Sequence, residues 1–222
     1  MRSTQDLLLA NLDNTLIDRA GAFARWAAEF VSEMRADPAD VEWLIQADGD
    51  GFVSREALAA SIAVRFGMGA SARDNLLATV RGGLVEHIVF DNRVSEALTR
   101  ARATGWVVVV VTNGTVAQQE RKLRDTGLEQ HVDGWIISEA AGVKKPDPQI
   151  FALAAAAAGL PLAGWMVGDS AKADIAGAHE IGLSTVWLRR GRDWQLPGFR
   201  PTAVAGSCTE AIQAIVGQTV SR

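Results

Sequence analysis

The chain has 222 residues, 48% of them hydrophobic and 22% charged, with a formal net charge of −4 at pH 7. That length suits one large domain or a domain carrying a smaller insert, and the composition is that of an ordinary globule. No long run of one charge sign argues for nucleic acid or an anionic membrane surface as partner, and the lone Cys208 excludes an internal disulfide and points to a reducing, cytoplasmic setting.

The first expected strand is Asp6–Ala10, and its leucine run is too short for a signal peptide. It runs directly into Asn11-Leu12-Asp13-Asn14-Thr15, a cluster of short polar residues at a strand end. From Arg19 to Val89 the pattern changes to helical spacing with no convincing strand. Four segments are expected there: Ala20–Arg35, Pro38–Ala47, Ser54–Arg65 and Ala70–His87. The stretch QADGDGFVSREAL inside this region resembles a calcium loop at Asp48, Asp50 and Gly51. Aligning Gly51 with the loop's glycine puts Gln46 at the first ligand position and Ala57 where a bidentate Glu belongs. The stretch therefore reads as a Gly-rich turn capped by Ser54. Trp26, Phe30 and Trp43 suit a helical core by residue type; they are also the candidates for a face that stacks on a substrate ring.

Beyond Val89, short apolar runs alternate with helix-like stretches. Trp106–Val111 is the longest apolar run, far below the roughly 20 residues needed to span a bilayer. It leads into Thr112-Asn113-Gly114 and an amphipathic helix over Val116–Asp125. The strand Gly134–Ile137 is followed by the loop Gly142-Val143-Lys144-Lys145-Pro146-Asp147-Pro148 and an alanine-rich helix over Pro148–Ala158. The strand Gly164–Val167 is followed by Gly168-Asp169 and, five residues on, Asp174. Ser184–Leu188 and, more weakly, Ala203–Ala205 complete the strands. Near-continuous apolarity in these runs fits a parallel sheet buried on both faces. The expected fold is a doubly wound α/β core over residues 1–18 and 90–222, with an all-helical insert over 19–89. His87, His131 and His179 share no spacing and read as structural.

In an open parallel sheet, ligands sit outside the carboxyl ends of the strands. Here those ends carry a hydroxyl, a cation and three carboxylates. Four segments, in order, resemble the motifs of the haloacid dehalogenase superfamily: NLDNT against DxDxT, VVTNG against a strand ending in Ser or Thr, KKPDP carrying the lysine, and VGDSAKAD against GDxxxxD. The likeness spans the chain and is to the superfamily's phosphatases with a helical cap after the first strand. It implies a Rossmann-like core and hydrolysis of a small organic phosphate through an aspartyl-phosphate. Position 11 would supply the nucleophile, and Asp13 would protonate the leaving alkoxide and then deprotonate water. Thr112, Asn113 and Gly114 would hold phosphoryl oxygens, with Lys145 neutralising their charge. Position 11, Asp13 through its carbonyl and Asp169 would hold Mg²⁺, and Asp174 would orient Lys145 or metal-bound water. Lys144, one residue further from Pro146, reads as solvated. Asp13 also favours phosphomonoesters over haloacids, because a halide leaves without a proton and an alkoxide does not.

The departure is Asn11. An amide has nearly the shape of a carboxylate but is a poor oxygen nucleophile and lacks the charge that helps hold Mg²⁺. Two readings follow: a phosphatase site disabled at one residue, or a non-catalytic protein that binds a phosphate ligand and signals through it. The presence of Asp13, Thr112, Lys145, Asp169 and Asp174 favours the first.

Overall fold

A computed structural model describes residues 5–69 and 72–219. The expected start of the fourth helical segment, Ala70 and Ser71, and the outer ends of the expected core, Met1 to Thr4 and Val220 to Arg222, lie outside them. The chain divides into two compact units, Met1–Ile17 with Phe90–Arg222, and Asp18–Val89.

The first unit contains β1 (Asp6–Ala10), α5 (Asn92–Ala103), β2 (Trp106–Thr112), α6 (Val116–Asp125), β3 (Gly134–Ile137), α7 (Ser138–Ala141), α8 (Pro148–Ala157), β4 (Gly164–Gly168), α9 (Gly177–Glu180), β5 (Ser184–Leu188), β6 (Ala203–Ala205) and α10 (Cys208–Thr219). Among the described residues the strands form one six-stranded sheet in the order β3-β2-β1-β4-β5-β6, and its pairings are parallel. Leu9 lies between Val109 and Met166, so β1 is hydrogen-bonded on both sides. β-branched Val108 to Val111 are buried, the signature of a strand covered on both faces. The doubly wound fold expected from the strand–helix alternation is the one observed. Its order reverses at β1, which places the topological switch point between β1 and β4. Helix α8 begins where expected: Asp147 accepts a hydrogen bond from the Gln149 amide at 2.9 Å, and Pro148 occupies the first turn.

The second unit holds α1 (Arg19–Glu33), α2 (Asp40–Asp48), α3 (Arg55–Arg65) and α4 (Ala72–Glu86). No strand occurs among its described residues. Helix α1 ends before the expected Arg35, because Arg35 turns into the left-handed region at φ 51°. Helix α2 starts two residues after Pro38, where Asp37 accepts from the Ala39 amide. The core of this unit is Phe23, Trp26, Phe30, Leu44, Leu58, Ile62 and Val80 with their neighbours.

Asp48, considered above as part of a calcium loop, serves this unit differently. It is 2% exposed and receives both Arg19, through two guanidinium nitrogens, and Arg55 at 2.6 Å. Burial works to raise its carboxyl, but the hydrogen bonds and charge of Arg19, then of Arg55, hold it below the ordinary carboxylate range. A carboxyl depressed in the folded state stabilises above its unfolded value, near 4, and that stabilisation is lost as pH falls through the folded value. Stability measured by denaturant titration should therefore drop in acid, and Asp48→Asn should flatten that drop. Arg19→Ala should cost about 3 kcal/mol, because it strips one partner from a buried charge.

Cys208 is buried at the start of α10, and burial pushes its thiol up to about 12. At neutral pH it should resist iodoacetamide in the folded protein and react once denaturant is added. Among the described residues, no helix is long and apolar enough to cross a membrane.

Candidate active site

The carboxyl ends of β1, β2 and β4 and the loop after β3 bring Asn11, Asp13, Thr112, Lys145, Asp169 and Asp174 to one edge of the sheet. Ladder bonding carries β1 one residue beyond Ala10, where the Asn11 amide donates to the Val167 carbonyl at 2.9 Å. The chain then turns sharply, and the Leu12 carbonyl accepts from the amides of Thr15, Leu16 and Ile17. Asn14 takes the left-handed conformation at φ 57° that the turn requires, one that asparagine tolerates well.

Lys145 is the hub. Its ammonium, 4% exposed, lies 2.9 Å from Asn11 Oδ1, 2.6 Å from the Val111 carbonyl and 2.7 Å from Asp174 Oδ1. Asn11 Oδ1 and the Val111 carbonyl accept hydrogen bonds from it, and Asp174 faces it as an ion pair. Asp174 is held in turn by the Ser170 amide at 2.9 Å. Gly168 is glycine for a steric reason, since a Cβ there would overlap the Asp174 carboxylate.

Position 11 reaches the other side of the site through nitrogen. Asn11 Nδ2 donates to the Asp13 carbonyl at 2.8 Å and to Asp169 Oδ1 at 3.1 Å. The amide cannot be turned the other way, because that would face its NH₂ donors toward the Lys145 ammonium. Asp169 also faces two guanidinium groups: Arg190 and Arg192 each come within 3.4 Å of Oδ2. Arg192 donates further to the Asp169 carbonyl at 2.7 Å and lies over the Trp187 ring, whose Nε1 bonds the same carbonyl at 2.9 Å.

The Asp13 carboxylate, 24% exposed, is paired with Lys122 at 2.7 and 2.8 Å and accepts from Gln119 Nε2 at 3.0 Å. Gln119 also donates to Thr112 Oγ1 at 2.5 Å. Gly114 sits at φ 151° with its amide on Ser138 Oγ at 3.0 Å, and a Cβ would press on the Gln119 side chain. The Asn113 side chain spans the Lys145 backbone, accepting from its amide at 2.9 Å and donating to its carbonyl at 3.0 Å. That side chain fixes a loop rather than reaching into the crevice.

Trp26 and Trp43 belong to the helical unit. Trp26 is 3% exposed and packs between Phe23 and Phe30 with ring centroids at 5.2 Å, so it has no open face for a substrate ring. In the structure Trp26 is core of the helical unit. Trp43 is partly buried against the same core, edge-on to Phe66, with the Arg65 guanidinium over its ring.

Four polar residues at the site escaped the sequence reading. Gln119 and Lys122 lie three apart on α6 and are both buried, at 1% and 3% exposure. Their signal was a polar pair at helical spacing just after the Thr112 strand end. Arg190 and Arg192 belong to the basic run RRGR at the carboxyl end of β5, a strand end that drew no attention.

Residues 12–182 match the family model of the haloacid dehalogenase-like hydrolases. The chain belongs to that family. The chain is 40% identical over 108 residues to the pyrimidine 5'-nucleotidase YjjG of Escherichia coli, covering 48% of each chain. It is 36% identical over 118 residues to the phosphoserine phosphatase of Thermus thermophilus, covering 53% of this chain and 47% of that one. It thus spans about half the length of the curated relatives it matches. Among solved structures, the HAD-hydrolase YfnB of Bacillus subtilis, bound to magnesium, superposes with a TM-score of 0.70 at 23% identity over 95% of this chain and 98% of that one. The L-2-haloacid dehalogenase of Xanthobacter autotrophicus superposes with a TM-score of 0.74 at 18% identity over 96% and 99%. At these identities both likenesses speak for the fold.

The family's phosphatases resembled here use Mg²⁺, and the side chains as they stand do not fit it. A hard cation needs oxygen lone pairs converging on one point. Here the Asp13 carbonyl and Asp169 Oδ1 converge on the hydrogens of Asn11 Nδ2 instead.

Proposed function

We propose that this strand-end crevice is a phosphomonoester site, and that the chain with Asn11 holds a phosphate ester without turning it over. The observation that carries the reading is the Lys145 ammonium held between Asn11 Oδ1 and Asp174 and bonded to the carbonyl of Val111, the residue before buried Thr112. Thr112 and the amides after it offer donors to phosphoryl oxygens, while Lys145 stabilises their charge where little water competes. Asp13, partly exposed and aimed by Lys122 and Gln119, is the group placed to exchange a proton with a leaving oxygen. With aspartate at position 11 the reaction class is phosphomonoester hydrolysis through an aspartyl-phosphate. The same variant would set three oxygens where Mg²⁺ can bind; the name of the YfnB structure, solved with magnesium, supports that choice of ion.

The substrate is a small organic phosphate, such as a nucleotide or sugar phosphate. Support comes from the relatives, named for pyrimidine nucleotides and phosphoserine. The helical unit is the cap domain and sets selectivity among substrates, and the protein works in the cytoplasm. A panel of phosphorylated metabolites, assayed with Asn11→Asp, tests this reading. Turnover of one or a few small phosphates is expected. Metal-free halide release from a 2-haloacid by that variant, or preference for phosphoproteins, would overturn it.

A further inference from the structure

Gln119 places an amide where burial obliges it to find partners. It is 1% exposed on α6, and Gly114 makes room for it, since a Cβ there would press on its side chain. Its Nε2 donates to Thr112 Oγ1 at 2.5 Å and to Asp13 Oδ2 at 3.0 Å, one hydrogen for each, while the Asn113 carbonyl stands further off at 3.5 Å. Asp13 decides which way the amide faces, because the reverse would set an amide oxygen against a carboxylate. Thr112 Oγ1 is therefore the acceptor in its bond with Gln119, and its own hydrogen is turned away from it. Among the described residues that hydrogen meets no acceptor, although Thr112 is 1% exposed. A buried hydroxyl donor without a partner is costly, and here it stands at the strand end where a ligand oxygen can supply one.

We propose that Gln119 is a positioning residue for the crevice: its one NH₂ group fixes the Thr112 hydroxyl as a donor to a phosphoryl oxygen and steadies Asp13 beside it. The proposal rests on the reading of the crevice as a phosphomonoester site and adds what makes Thr112 a donor there. A threonine hydroxyl left to itself can donate or accept, and it rotates to suit its neighbours. With Gln119 on its oxygen, the hydrogen is offered to ligands that present a lone pair, as the terminal oxygens of an ionised phosphate do. Because the donor is set before the ligand arrives, little rotational freedom is lost on binding. The pairing is local and stiff: Thr112 ends β2, α6 begins at Val116, and the two side chains lie seven residues apart across one strand-to-helix turn.

A double-mutant cycle on the full chain with Asn11, read by calorimetry with orthophosphate as probe, tests this. Thr112→Val should weaken binding by about tenfold or more, and Gln119→Met by about fivefold. The two together should bind within about twofold of Thr112→Val alone, because Gln119 acts through the hydroxyl that valine lacks. Lys122 keeps its pair with Asp13 in every variant, so orthophosphate reads the Thr112 arm. Thr112→Ser keeps a hydroxyl; it should bind like the parent and remain sensitive to Gln119→Met. A packing role for Gln119 would instead give the same loss whatever stands at position 112. Equal losses from Gln119→Met in the parent and in the Thr112→Val chain, or a folded Gln119→Met protein that binds as tightly as the parent, would overturn the proposal. Either result leaves the reading of the site standing if the parent binds orthophosphate and Asn11→Asp hydrolyses a phosphomonoester. A parent that binds no orthophosphate, with an Asn11→Asp variant that hydrolyses nothing, would remove both.

Discussion

Asn11→Asp should raise hydrolysis of a generic aryl phosphate by at least about 10³-fold, because losing a covalent nucleophile costs other enzymes that much or more. The change keeps the shape of the side chain. Oδ1 remains 2.9 Å from the Lys145 ammonium, and the atom that was Nδ2 becomes an oxygen facing the Asp13 carbonyl and Asp169 Oδ1. Two hydrogen bonds then become two repulsions, which only a cation can relieve. The gained activity should therefore vanish with chelator, and the metal-free variant should melt below the chain with Asn11 until Mg²⁺ is restored. Steady-state assays and thermal melts, each with EDTA and with Mg²⁺, check both halves. A folded Asn11→Asp protein without Mg²⁺-dependent hydrolysis of any phosphomonoester would favour a phosphate-binding, non-catalytic protein.

In that activated background, Asp13→Asn is expected to remove a further 10² to 10⁴-fold, on the order of what positioned acid–base groups contribute. An alkoxide needs a proton to leave and nitrophenolate does not. The loss should accordingly be steeper on an alkyl phosphate than on p-nitrophenyl phosphate. A merely structural role would lower both alike. Since Lys122 and Gln119 hold the Asp13 carboxylate, Lys122→Met should show the same leaving-group bias in weaker form. An unchanged rate on the alkyl ester after Asp13→Asn would end the acid assignment.

The strand ends were legible in the sequence because a buried parallel strand is an uninterrupted apolar run, and the first polar residue after it marks the edge where ligands sit. Val108 to Val111 followed by Thr112 is the plainest case. What escaped was polar chemistry whose partner is distant in the chain. Lys122 meets Asp13 across 109 residues, and nothing in an amphipathic helix says which of its cations is buried against a carboxylate. RRGR looks like a solvated loop until the Asp169 carboxylate is placed beside it. Trp26 illustrates the limit of residue type, since helical spacing is the same for a ring in the core and a ring facing a ligand. Asp48 lies in an acidic glycine-rich stretch, and its carboxylate answers two arginines, one of them 29 residues earlier in the chain.

The Asn113 side chain has a kinetic consequence. It closes both the amide and the carbonyl of Lys145 in hydrogen bonds, joining a loop after β3 to the end of β2. Loop amides ordinarily trade their protons with solvent quickly, whereas amides in the central strands open only rarely. The Lys145 amide should therefore exchange with deuterium on the slow timescale of the sheet. Replacing Asn113 with alanine should release it to the fast one, while the Val109 and Val110 amides keep their protection. Lysine and strand would then behave as one mechanical body, so the ammonium's position depends on the framework and survives when no ligand is there to hold it.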